Sequence, residues 1–252
     1  MFLFFLVPLF SWDYKTHRIL GGIAKEILYN STNFDKMNQL FSSNFSEASV
    51  LPDKLKFTKE YGWTRKLHYI DIDLVEQDNF ITNEIIEKYC KKNCITWGIK
   101  HFHRQIKGKK RQAKQFNLIL DKFRYHFLLH FLQDICQPFH LFGKTGGNDI
   151  FIRYYNNEKC NIVSVHKLWD TVLPEKYNFD LDSNLDLGES KFHFRLNRYV
   201  NLHYHIAVKE YNYYKSVNFT LTSLNDYYNI RAKFILNDLF TNYRHLVLHY
   251  FK

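Results

Sequence analysis

The stretch "YHFLLHFLQDICQPFH", residues 125–140, constrains this chain more than any other. Leu, Phe and Ile dominate it, so a helix built from it belongs in a core. That helix stops near Gln137-Pro138, because proline lacks the N–H and its ring clashes with the preceding turn. Yet the same stretch carries His126, His130, Asp134 and His140. A buried polar group without a partner costs roughly a few kcal/mol, so these four need an explanation.

On a helix, His130 and Asp134 are four apart and share a face, and His126 continues the row. Beyond Pro138 the chain can turn His140 back towards them. Downstream, "HKLWD" places His166 and Asp170 at the same spacing. Imidazole nitrogen and carboxylate oxygen are preferred zinc ligands outside cysteine sites. A single such pair is more often a satisfied core histidine or a surface ion pair. Two pairs together with His140 shift the balance towards facing halves of a metal site, as inward-facing side chains form in helical bundles. The glutamate pattern of di-iron bundles and the His-Glu-x-x-His motif are both missing.

Apolar residues at helical spacing mark 16–29, and segments at 84–106, 113–136, 165–172, 193–215 and 224–247 read as helical as well. Residues 148–165 read as a β-hairpin turning at Asn156-Asn157. No Pro/Gly/Ser linker divides the 252 residues, so the expected fold is mainly α: a single-domain helical bundle with a small hairpin. With 46% hydrophobic residues and only 9 Gly and 4 Pro, disordered and repetitive classes are excluded. The formal charge of +10 favours nucleic acid, anionic membranes or phosphorylated substrates. Its densest patch, Lys107–Gln112, reads as a solvated helix end or loop.

The opening MFLFFLVPLFS is too short to span a bilayer and resembles the apolar core of a signal peptide, cut after Ser11. Residues 1–11 are therefore expected to be a leader and 12–252 the domain, secreted or lumenal. The sequons at Asn30, Asn44 and Asn218 agree with that route. Cys90 and Cys94 are close enough for a local disulfide if the chain bends between them. Cys136 reads as a buried thiol and Cys160 is unassigned; no CxxC pair marks a zinc finger.

"FLLHFLQDICQPFH", followed by "GGN" and "HKLWD", resembles the trinuclear-zinc single-strand nucleases of the S1/P1 type, which share their helical fold with zinc phospholipase C. The likeness runs from Trp12 to the "RAKFILN" segment at 231–237. It implies nine ligands to three Zn²⁺ ions. Asp53 of "ASVLPD", His68 of "LHYID" and His130 would hold one; Trp63, five before His68, also matches the family's pattern without being a ligand. Trp12, through its free amino group and carbonyl, and His17 of "WDYKTH" would hold a second, with Asp134 bridging the two. His140, His166 and Asp170 would hold the third. His126 has no counterpart and reads as a core or supporting residue.

The resemblance also implies the chemistry. A hydroxide bridging the paired ions would attack phosphorus in line, with Asp53 and Asp134 at the catalytic centre. Products would be 5′-phosphates, and 3′-phosphates would be removed from mononucleotides. Tyr69 would stack on a base, Asp71 would accept from its edge, and Asn148 and Lys56 would contact phosphate. Cys90–Cys94 would match the family's short-range bridge at one residue less. "ASVLPD" departs from the commoner Ala-Ser-Trp-Ala-Asp form, and Lys144-Thr145 stands where an Arg is frequent. The expected protein is a monomer with no stable membrane span, acting on single-stranded nucleic acid and 3′-nucleotides. A phospholipase C would use the same ligands; Tyr69, Asp71 and the basic charge favour polynucleotide. A non-catalytic zinc- or nucleic-acid-binding protein is the alternative from another class.

Overall fold

The computed structural model describes residues 12–73, 80–111, 118–177 and 196–251. Residues 1–11, read from sequence as a leader, and the sequence-read helical residues 113–117 and 193–195 lie outside them. Asp13 caps the first helix, accepting from the Thr16 N–H at 2.8 Å. That helix, α1 (Tyr14–Leu28), buries Leu20, Ile23, Ala24 and Leu28. Two helices without a clean apolar period follow, α2 (Phe34–Leu40) and α3 (Phe45–Leu55). The second contains Pro52, a residue that argues against helix from sequence. It holds because tertiary packing overrides propensity: α3 lies against α1 and α6. A 3₁₀ helix, Gly62–His68, comes next.

The segment read as one helix over 84–106 is two, α4 (Asn83–Cys90) and α5 (Ile95–Arg111). They part where Lys91 and Lys92 take positive φ angles and Cys90 and Cys94 are joined as a disulfide. α6 (Leu118–Asp134) is the hub, packed on α1, α2, α3, α5 and α11. It is buried on every side from Tyr125 onward, as its composition requires. A 3₁₀ turn, Pro138–Leu141, ends it.

The hairpin pairs β1 (Phe151–Asn156) with β2 (Lys159–Ser164), Phe151 facing Ser164. Its turn falls on Asn157 and Glu158, both at positive φ, one residue later than the sequence-read turn. A third strand, β3 (Thr220–Leu221), adds in parallel to β1, a pairing no local pattern announces. α7 (Val165–Lys167) passes through a π turn, Leu168–Val172, into α8 (Leu173–Lys176). The chain closes with α9 (Leu196–Ser216), α10 (Leu224–Tyr227), a second π turn and α11 (Lys233–Phe251). No helix among the described residues is long and apolar enough to cross a membrane.

Candidate metal centre

α6 presents His130 and Asp134 one turn apart, and three other elements close on them. His17 arrives on α1, Asp53 on α3 and His68 at the end of the 3₁₀ helix. All five side chains are essentially buried. Asp134 Oδ2 lies 2.8 Å from His68 Nδ1 and 3.0 Å from His130 Nε2. His17 Nε2 lies 3.4 Å from Asp134 Oδ1 and 3.7 Å from Asp53 Oδ2. The close approach of α1 to α3 depends on Gly21, where a Cβ would stand 2.5 Å from both the Phe45 carbonyl oxygen and Ser49 Oγ.

The second half comes from the chain beyond α6. The 3₁₀ turn carries His140, while Ser164 ends β2 and caps α7 so that His166 faces inward. Asp170 sits in the π turn, its Oδ2 2.9 Å from His166 Nε2. The His140 and His166 rings lie nearly parallel, with centroids 5.2 Å apart. His140 Nδ1 is 3.7 Å from Asp134 Oδ1, so the two halves meet at that carboxylate.

Hydrogen bonds decide which ring nitrogens face the cluster. His130 Nδ1–H donates to the Ser49 carbonyl at 2.6 Å, and His166 Nδ1–H to the Gly146 carbonyl at 2.7 Å. His17 Nδ1 meets Gln133 Oε1 at 2.5 Å. Gln133 Nε2 donates to Ser49 Oγ and Tyr243 Oη, each of which spends its own proton on a backbone carbonyl. The amide oxygen must therefore face His17, whose proton must sit on Nδ1. Gln137 Nε2 holds Asp170 Oδ1 at 2.6 Å. Fixing the outer nitrogen and aiming the inner lone pair is how metal-binding histidines are oriented.

Charge balance points the same way. Burial opposes ionisation of Asp53, but His130, Lys56 and His17 outweigh it and hold the carboxyl well below its usual range. Asp134 is likewise held low against burial, by His130, His17 and His68. Against the same burial, Asp134 and Asp53 push His130 up to about 10. Burial, aided by Lys56, pushes His68 down to about 3, and burial pushes His140 down to about 3. Two buried carboxylates need cationic partners, and a neutral imidazole is the form that can bind a metal. Asp134 Oδ1, His140 Nδ1 and His68 Nε2 have no hydrogen-bond partner. Three groups, the first two overlapping, each have donor atoms within 4.8 Å of one another: His17–Asp53–His130, His68–His130–Asp134 and His140–His166–Asp170. These residues can hold metal ions. The third group is the one expected from sequence; the first two share His130, so the geometry does not divide them between two ions.

The S1/P1 nuclease family model matches residues 12–250. The chain belongs to that family. Among relatives, it is 29% identical to Endonuclease 1 of Arabidopsis thaliana over 191 residues, 70% of this chain and 59% of that protein. It is 27% identical to Endonuclease 2 of the same plant over 180 residues, 68% of this chain and 59% of that protein. Nuclease P1 of Penicillium citrinum is 28% identical over 142 residues, 54% of this chain and 47% of that protein. The chain thus spans less than two thirds of the length of each.

Within this S1/P1 chain, not all of the other sequence-singled residues lie at the centre. Trp12 is fully buried, its Nε1–H donating to the Gln133 carbonyl at 2.8 Å. Tyr69 and Asp71 are half-buried and alternate with buried Ile70 and Ile72 along an extended segment, so both project to one side. Burial pushes the Asp71 carboxyl up to about 6, against Lys66. Lys56 is buried, its Nζ 2.6 Å from Asp53 Oδ1. Asn148 follows Gly146 and Gly147, both at positive φ and pressed against Phe139 and His166, where a Cβ would crowd them. His126 turns away from the cluster to the Leu40 carbonyl and stacks on Phe41, a core residue. Asn30, Asn44 and Asn218 are exposed. Cys136 is buried and Cys160 exposed. Sequence reasoning missed Ser49, Gln133, Gln137 and Gly21. Two glutamines inside the most apolar stretch of the chain were the available signal.

Proposed function

We propose that this chain is a zinc-dependent endonuclease of the secretory pathway, cleaving single-stranded DNA and RNA to 5′-phosphate products and removing 3′-phosphates from nucleotides. The observation that carries the reading is the continuous His/Asp array joined at Asp134, in a chain of the S1/P1 family. Asp53, His68 and His130 would hold one zinc, Trp12 and His17 a second shared through Asp134, and His140, His166 and Asp170 a third. Bound zinc supplies acidified water near neutral pH and positive charge for the departing oxygen.

The chain's own residues do the rest. Asp53 and Asp134 are catalytic in this reading, ionised and buried at the meeting of the groups. In this reading Lys56, paired with Asp53, and Asn148, whose Nδ2 donates to the Thr145 carbonyl at 2.8 Å, would contact the phosphate. Tyr69 offers a ring to a base and Asp71 an acceptor to its edge, a pairing that favours polynucleotide over phospholipid. Removal of residues 1–11 would free the Trp12 amino group, since an acylated nitrogen has no lone pair to give. The reading has the protein act as a monomer, secreted or lumenal, with glycans on Asn30, Asn44 and Asn218.

The test is incubation of protein beginning at Trp12 with a single-stranded oligonucleotide, with and without chelator, and assignment of product ends. Chelator-sensitive cleavage to 5′-phosphates, restored by Zn²⁺, is expected. Zinc-loaded protein that leaves oligonucleotides intact and hydrolyses phospholipid would move the chain to the phospholipase reading.

A further inference from the structure

We propose that the outer face of α5, together with Trp63, is a docking track for single-stranded nucleic acid that leads away from Tyr69. The proposal rests on the nuclease reading and extends it to the strand beyond the cleaved bond.

The helix is two-faced. Ile95, Ile99, Phe102 and Ile106 are buried, while exposed Lys100, Arg104 and Lys107, with half-buried His101 and a half-buried Trp97 that also packs on the core, recur at three- and four-residue spacing on the other side. Between Ile95 and Arg111 the sequence has no Asp or Glu, and it adds Lys109, Lys110 and Arg111 to those cations. The adjoining 3₁₀ helix contributes exposed Arg65 and Lys66 and no acid. A surface of one sign concentrates polyanions.

Rings lie among these charges. Trp97 stacks on His101 with centroids 4.5 Å apart and planes at 20°. Trp63, 51% exposed, meets His101 edge-on at 6.1 Å. Aromatic side chains beside a cationic groove hold single strands without sequence preference, because every base has a face to stack. An anionic membrane would match the charge, but the apolar face of this helix, Ile95, Ile99, Phe102 and Ile106, is already buried in the core, leaving none to insert into a bilayer.

The track is joined to the site. The Ile95 N–H donates to the Tyr69 carbonyl at 3.0 Å, so α5 begins at the proposed base-stacking residue. Gly98 lets the helix press on the segment carrying His68; a Cβ there would lie 3.1 Å from Leu67 Cβ. Arg65 Nε donates to the Lys56 carbonyl at 2.7 Å, tying the basic 3₁₀ helix to the Lys56–Asp53 pair. From Ile95 to Arg111 the helix runs about 25 Å, room for several nucleotides.

Two variants test it: Trp97→Ala, and the exposed triple Lys100→Gln/Arg104→Gln/Lys107→Gln, with circular dichroism confirming the fold of each. The readouts are anisotropy of a labelled oligothymidylate of about 20 nucleotides in chelator, and kcat/KM of the metal-loaded protein on that oligomer and on a dinucleotide. Each variant should bind the oligomer about tenfold more weakly. In the triple variant the slope of log affinity against log salt should shrink by about 2. Cleavage of the oligomer should fall while that of the dinucleotide holds. Oligomer affinity and salt slope unchanged in the folded triple variant would overturn the track. So would binding of the wild-type chain to anionic phospholipid vesicles but not to the oligomer. Wild-type protein that binds the oligomer through α5 yet cleaves neither substrate would overturn the nuclease reading alone.

Discussion

The carboxamide of Gln133 accepts the Nδ1 proton of His17 at 2.5 Å, and so decides which nitrogen of that ring faces Asp53 and Asp134. The same amide holds Ser49 on α3 and Tyr243 on α11, and its backbone carbonyl holds Trp12. Three helices converge on this one side chain, and Trp12 on its backbone.

Replacing Gln133 by Leu keeps the bulk and removes the tautomer control. Metal affinity should fall about 10- to 100-fold, and stability should fall by about 1–3 kcal/mol as buried partners lose their bonds. Metal titration and denaturant unfolding measure the two effects separately. Unchanged metal affinity would leave the amide a purely structural role.

Neighbouring glycines should respond oppositely to alanine. At Gly21 the new methyl would strike the Phe45 carbonyl oxygen, whereas at Gly22 its nearest neighbour is Ser46 Oγ at 3.8 Å. Gly21→Ala should cost about 1–3 kcal/mol and weaken metal binding by parting His17 from Asp53. Gly22→Ala should gain about 0.5–1 kcal/mol through helix propensity. Thermal melts of both variants, each with and without metal, make the comparison.

Asp134 touches both halves of the centre, so Asp134→Asn should lower metal occupancy in more than one group. Metal analysis after dialysis should find more than one equivalent missing. Loss confined to a single equivalent would assign Asp134 to one half. Chelation of the wild-type protein should lower Tm, because ions held by the native state alone stabilise it.

His203 supplies a pH dependence away from the cluster donors. It is fully buried, donates to the Ile135 carbonyl and accepts from Asn242, and burial pushes it down to about 4. Its folded pKa lies below the unfolded value near 6.5, so unfolding takes up a proton between these limits. Stability is intact above pH 6.5 and falls as pH drops towards 4, by up to about 3 kcal/mol. His203→Gln should flatten that part of the stability profile; an unaltered slope would mean that another group titrates there.

The division between sequence and structure follows the range of the interactions. Spacing within one helix is local, so His130 with Asp134 and His166 with Asp170 were legible as pairs, and the apolar run of α6 marked the core. Period located α1, and α6, α9 and α11 fall within segments that read as helical. α3 was invisible because Pro52 breaks the local rule, and only packing against α1 and α6 holds it helical. The break between α4 and α5 has a local cause, the Cys90–Cys94 bridge, but the apolar period runs across it unbroken.

The sequence by itself determined that the chain buries histidines and carboxylates inside helices, since composition and period require that burial and leave few other uses for such groups. Only the tertiary structure decided how they combine. Asp134 lies between His17 and His140, which are 123 positions apart, and no spacing rule relates residues on separate elements. Nor does local pattern orient a ring: the tautomers of His17, His130 and His166 are set by Gln133, Ser49 and Gly146, whose roles exist only after α1, α3, α6 and the Gly146 turn have packed.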